Sequence, residues 1–149
     1  MTAPGIPTGV HVIFAQGGRV LLMRRANTGF FDGLLSLPGG HVEPGESVKM
    51  AAIREMREEL AVELSADDLR TVGVVHRLSD TNRIDFFLQA ARWTGTPARA
   101  EPDKCSALQW VARDALPADT VPYVAEALAR DASVPWIAES GWVDRRVDI

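Results

Sequence analysis

The sequence of 149 residues carries 16 Lys and Arg against 20 Asp and Glu, a formal charge of −4, with 46% apolar and 24% charged residues. This is the balance of one globular domain, 1–149, and it offers no basic excess to neutralise a nucleic-acid polymer. No apolar stretch reaches membrane-spanning length, the first five residues lack the blocks of a signal peptide, and the single Cys105 cannot form an internal disulfide, so a cytoplasmic setting is expected.

In chain order, Gly9-Val10-His11-Val12-Ile13-Phe14 and Arg19-Val20-Leu21-Leu22-Met23-Arg24 read as strands about the turn signal Gln16-Gly17-Gly18, predicting a hairpin over residues 9–25. Residues 26–36 read as a loop. Leu37-Pro38-Gly39-Gly40 reads as a breaker, with His41 and Val42 extending a short strand. Glu43-Pro44-Gly45-Glu46-Ser47 reads as a helix entry, with Ser47 or Glu46 near the cap. Ile53, Met56 and Leu60, with Ala52 beside them, then make one apolar helical face. Residues 71–78 and 83–93 read as strands, Thr94-Gly95-Thr96-Pro97 as a break, residues 107–111 as a short strand and residues 121–130 as a second helix. This order predicts an α+β fold with a mixed β-sheet packed between helices. The core would run from about 9 to 130, followed by a C-terminal extension, 131–149, to which no element is assigned.

The chemistry concentrates in Arg54-Glu55-Met56-Arg57-Glu58-Glu59. On a helix, Glu55, Glu58 and Glu59 lie at i, i+3 and i+4 and span roughly 100° of one face, away from the apolar stripe. A charged run of this kind is often only a solvated face. Here, however, like charges at i, i+4 oppose one another, and a glycine pair precedes the helix. Oxygen-only clusters suit a hard divalent cation, Mg²⁺ or Mn²⁺, and the cluster holds no His or Cys for zinc.

Gly40, five residues, Glu46, seven residues, then Arg54-Glu55-Met56-x-Glu58-Glu59-x-Ala61-Val62 closely resembles the Nudix box. Leu35-Ser36-Leu37-Pro38-Gly39-Gly40 is similar to the segment before that box in many members. Trp93-x-Gly95-x-Pro97-x-x-x-Glu101 followed by Trp110-Val111 resembles the MutT-like nucleoside triphosphate pyrophosphohydrolases. The resemblance runs from about residue 9 to 130 and implies the Nudix fold, an α/β/α sandwich around a mixed sheet, in agreement with the element order. It also implies metal-dependent hydrolysis of a nucleoside diphosphate linked to another group, with a (d)NTP giving a monophosphate and pyrophosphate by water attack on phosphorus. A nucleotide sugar or other diphosphate metabolite, or non-catalytic nucleotide sensing, are the alternatives.

By the same resemblance, Glu55, Glu58, Glu59, Glu101 and Arg54 are catalytic. Arg54 would orient Glu46 and Glu55, and Glu101 would be a metal ligand or general base. Arg25, Gly39 and Gly40 would meet the substrate, and Gly40, Glu55, Glu58, Glu59 and Glu101 would hold Mg²⁺, for which Mn²⁺ can substitute. The expected partner is a small nucleotide or diphosphate, with no nucleic-acid polymer and no membrane, and the chain a monomer or homodimer. The sequence departs from the family at Ala61, where a Gly usually ends the helix, so a changed local turn is expected there. The Pro of ADP-ribose enzymes and the Tyr of diadenosine polyphosphate enzymes are absent, and His76-Arg77-Leu78-Ser79-Asp80 stands in that region. No Asn near Val121-Pro122-Tyr123 matches the one that reads oxidised guanine. His11, His41 and His76 are read as structural or solvent-facing, with His41 adjoining the glycine pair. Asp85-Phe86-Phe87 and Trp110 are read as core.

Overall fold

In the computed structural model the described residues are 5–79 and 81–142. The charged end, Asp144-Arg145-Arg146-Val147-Asp148-Ile149, lies outside them. The fold is organised by β1 (Thr8–Gln16), which is apolar and buried on both faces from Val10 to Phe14. Successive side chains of a strand point to opposite faces. Val10, Val12 and Phe14 therefore join one core cluster with Ala52, Met56 and Leu60 of α1 (Val48–Leu60). Ile13 joins another with Val121, Val124 and Leu128, which lie at and within α2 (Pro122–Ala129). The two clusters flank one sheet, so the chain forms the expected sandwich.

The hairpin of β1 with β2 (Arg19–Arg25) has only two rungs, Ala15↔Val20 and Gln16↔Arg19. Beyond them the strands part. β2 pairs instead with β3 (Leu35–Ser36) and β7 (Cys105–Ala112). The first half of β1 pairs antiparallel with β4 (Gly39–His41), and β1 from Thr8 to Phe14 pairs parallel with β6 (Asn82–Ala90). A parallel pair needs a crossover, and α1 supplies it. β5 (Leu69–Leu78) forms a hairpin with β6 and pairs on its other side with β8 (Trp136–Ser140).

Two expectations are corrected, and one unassigned segment gains an element. Residues 26–36 are not all loop, because Leu35 and Ser36 pair with Arg24 and Met23. The breaker cluster enters the sheet, because Gly39 and Gly40 pair with His11 and Val10. The C-terminal extension contributes a strand, seated where Gly73 lacks a side chain; a Cβ there would coincide with the Trp136 indole. Among the described residues no helix is long and apolar enough to cross a membrane.

α1 begins at the Ser47 cap, whose hydroxyl accepts from the Met50 amide at 3.2 Å. It ends at Ala61, whose φ of 57° and ψ of 33° are left-handed. The turn usual for glycine is thus kept rather than altered, and an alanine bears its steric cost. Ala61→Gly should stabilise the fold by about 1 kcal/mol, since relief of that strain outweighs the flexibility gained when unfolded. A urea titration measures it, and an unchanged or lowered midpoint would contradict this account.

Candidate active site

Where β1 and β2 part, the sheet opens into a cleft of about 690 Å³. β4 borders it, α1 faces it on one side and the α2 side of the sheet lies on the other. Glu55 and Glu59 of α1 line one end, and Gly39 and Gly40 of β4 lie between the two ends, Gly39 paired with His11. His11, Arg77, Arg83, Asp85 and Tyr123 line the other, and Arg25 and Phe31 lie at its margin.

Arg54 organises the acidic end. Its Nε donates to Glu46 Oε2 at 2.7 Å and its Nη2 to Glu46 Oε1 at 2.9 Å, a bidentate fork. Nη2 also donates to the His41 carbonyl at 3.0 Å, tying α1 to β4. Nη1 donates to Glu55 Oε1 at 2.9 Å and to Glu58 Oε2 at 3.4 Å. The hydrogen bonds from Arg54 hold the Glu46 carboxyl at about 2, well below the usual range.

Glu55 and Glu59 behave in the opposite way. Burial raises Glu55, and the charges of Glu58 and Glu101 add to it against the Arg54 hydrogen bond. Burial, then the charge of Glu55, pushes Glu59 up to about 8, although its Oε2 accepts from the Gly39 amide at 3.2 Å. Glu101 reaches the same neighbourhood because its loop hangs from the end of α1. The Ala98 amide donates to the Leu60 carbonyl and the Ala100 amide to that of Glu59, both at 3.0 Å. Gly40 is required by space, since a Cβ there would coincide with the Glu55 carboxylate.

Among the described residues, no three carboxylate, imidazole or thiol groups are already gathered into a metal-binding set. Glu55 and Glu59 are turned to their protein partners. The donor chemistry nevertheless fits a hard divalent cation, because partly buried carboxylates that oppose one another are offset by one positive charge centre. Glu58 stands at the rim with half its side chain exposed.

Arg25 acts on the adjacent loop as well as the cleft. Its Nε donates to the Phe30 carbonyl at 2.7 Å and its Nη2 to Thr28 Oγ1 at 3.1 Å. Asp32 closes the same loop, accepting from the amides of Thr28 and Gly29.

The structure thus places Arg25, Gly39, Gly40, Glu55 and Glu59 on the cleft, with Arg54, Glu58 and Glu101 beside its acidic end. Reading residue by residue missed the opposite wall. His11 is buried, stacks on Phe87 with ring centroids 4.8 Å apart, and meets Asp85 Oδ1 through Nε2 at 3.4 Å. The signal available was Asp85 itself, a carboxylate inside an apolar strand run, since a buried charge needs partners. Burial alone would raise Asp85, but the His11 hydrogen bond and the nearby charges outweigh it and hold it at about 2. Trp110 packs against the core on the α1 side, as expected.

Comparison with known proteins gives a consistent family. The family model described as NUDIX domain matches residues 6–131. A Bacillus subtilis protein described as a candidate 8-oxo-dGTP diphosphatase is 31% identical over 111 residues, 74% of this chain and 69% of that protein. A Pseudomonas entomophila NAD-capped RNA hydrolase is 30% identical over 76% of this chain but only 39% of its own length. The crystal structure of a MutT NUDIX hydrolase from Burkholderia pseudomallei superposes with a TM-score of 0.77 at 30% identity, covering 84% of this chain and 97% of that one.

The Glu59 environment makes stability depend on pH. An acid raised from 4.5 when unfolded to about 8 when folded stabilises fully below pH 4.5 and loses that contribution as pH rises through about 8. In chelator, the melting temperature should therefore fall over this range in wild type and fall less in Glu59→Gln. Equal slopes in thermal scans across the range would refute the assignment.

Proposed function

The chain belongs to the NUDIX family, in its MutT-like branch of pyrophosphohydrolases, and from that premise we propose that it hydrolyses a nucleoside triphosphate to a monophosphate and pyrophosphate with a divalent cation. The observation that carries this reading is the pairing of two partly buried, mutually repelling carboxylates, Glu55 and Glu59, with the glycine strand β4 in one cleft. Glu55, Glu58, Glu59 and the Gly40 carbonyl would hold Mg²⁺, or Mn²⁺ in its place. When bound, such a cation neutralises phosphate charge and lowers the pKa of a bound water.

The chain's own residues do the rest. Arg54 fixes Glu55 against rotation and keeps Glu46 ionised beside it. Gly39 and Gly40 keep β4 close to β1 and to Glu55, where a Cβ would collide with the Val10 carbonyl or the Glu55 carboxylate, and their bare backbone would meet the phosphates. Glu101 either completes the oxygen set or takes the proton of the attacking water. Arg25 holds the Phe30 loop at the cleft margin and presents positive charge to the substrate. This reading keeps the substrate a small nucleotide, residues 1–149 one domain, the chain a monomer or homodimer, and its setting the cytoplasm. The likeness to NAD-capped RNA hydrolases supports a second reading, in which a nucleotide diphosphate linked to another group is cleaved at the same carboxylates.

A panel of nucleoside triphosphates and nucleotide sugars with Mg²⁺ or Mn²⁺ separates these readings. Glu58→Gln should lower turnover of the best substrate by roughly 100-fold or more. Turnover that needs no divalent cation, or that survives this substitution, would overturn the site.

A further inference from the structure

The far wall of the cleft carries an arrangement that fold stability does not explain. Arg77 of β5 and Arg83 of β6 are directly opposite each other in the hairpin register, and Val75 is opposite Asp85. Like charges facing across a strand pair are unfavourable. Yet both guanidiniums are mostly buried, with side chains 11% and 19% exposed.

One carboxylate braces them. Asp85 Oδ2 accepts from Arg77 Nε at 3.2 Å, while Oδ1 lies 3.7 Å from Arg83 Nη2 and 3.4 Å from His11 Nε2. Gly9 makes the room, because a Cβ there would sit within 2.5 Å of Asp85 Oδ1. The Asp85 side chain is 1% exposed, so its oxygens are spent on these partners and face no ligand.

The chemistry of the wall is therefore one-sided. Guanidinium groups donate and never accept. Among the described residues, the one carboxylate on this wall is covered. Among the described residues, a ligand amino group placed here meets two guanidiniums and no open carboxylate, with only neutral hydroxyl or imidazole groups able to accept from it, whereas a carbonyl oxygen meets charged donors favourably. The neighbouring surfaces are flat: the Arg77 guanidinium lies 4.3 Å from the Tyr123 ring centroid, and Phe31, 41% exposed, stands 6.0 Å from the same ring. Flat faces of this kind receive a planar heterocycle.

We infer that Arg77 and Arg83, held by Asp85 as their positioning residue, select nucleotides whose base presents a carbonyl oxygen where others present an amino group. The inference rests on the proposed nucleotide reaction, with the phosphates at the carboxylate end and the base at this wall. It makes the preferred substrate a keto-base nucleotide, and it assigns Arg83 to specificity rather than to phosphate chemistry.

Matched pairs test it, because ITP differs from ATP, and UTP from CTP, by exchange of a carbonyl for an amino group and the ring proton that follows. Wild type should favour each keto member by roughly 10-fold or more in kcat/KM, the scale of a guanidinium–carbonyl pairing. Arg83→Gln should bring each pair to within about 3-fold through KM, with kcat largely kept. Asp85→Asn, with its fold checked by circular dichroism, should erode the same preference. Equal use of both members by wild type, or an equal loss on all four substrates in Arg83→Gln, would overturn the inference. Metal-free calorimetric binding of IMP against AMP and of UMP against CMP decides the matter independently of catalysis. A keto preference there with no triphosphate turnover would sink the proposed reaction and leave the wall's role standing; no preference would sink the inference even with turnover intact.

Discussion

The crowding of carboxylates on one face of α1 is the constraint that the site depends on, and Arg54 is what makes it tolerable. A single guanidinium gathers Glu46, Glu55 and Glu58 and still reaches the His41 carbonyl. The last bond matters as much as the ion pairs, because it ties the helix that carries the acids to the strand that carries the glycines. Lysine could supply the charge but not this geometry, since its ammonium cannot form a planar fork to Glu46 while reaching three other oxygens. Glu59 forms no hydrogen bond to Arg54, and burial and the Glu55 charge outweigh its bond from the Gly39 amide and leave it the most perturbed acid of the group.

The cleft exists because a hairpin opens. Had β1 and β2 stayed paired past two rungs, β4 would have had no edge of β1 to join. Its arrival demands glycine twice, since a Cβ at Gly39 would coincide with the Val10 carbonyl and one at Gly40 with the Glu55 carboxylate. Beside the same opening, on the α2 face of β1 and β6, lie His11 and Asp85. One break in the sheet thus gives a single cavity two ends of opposite chemistry, acids fixed by a helix and donors fixed by a strand pair.

Local signals carried most of the element assignments. The apolar face of α1 and its Ser47 cap were legible because both depend on residues within a turn of each other. The two helices, the strand-rich segments and the mixed sheet between helices followed from periodicity and order. The acidic cluster was legible too, since helical spacing alone places Glu55, Glu58 and Glu59 on one face. Trp136–Ser140 was not legible as a strand, because its partner β5 is distant in sequence and the space it fills is made by Gly73. Ala61 was legible as a departure from the family but not in its outcome. The left-handed turn is held by backbone bonds from its amide and that of Val62 to the Arg57 and Met56 carbonyls, whatever the side chain.

By itself the sequence determined the family and the helix that bears the acids, because these are properties of spacing along one chain segment. Only the tertiary structure decided that Asp85 is a buried brace rather than core, that His11 stacks above Phe87, and that Arg77 and Arg83 face each other across the cleft wall. Each of those facts depends on the register between strands that share no local pattern. A one-residue slip in that register would turn every one of those side chains to the other face of the sheet.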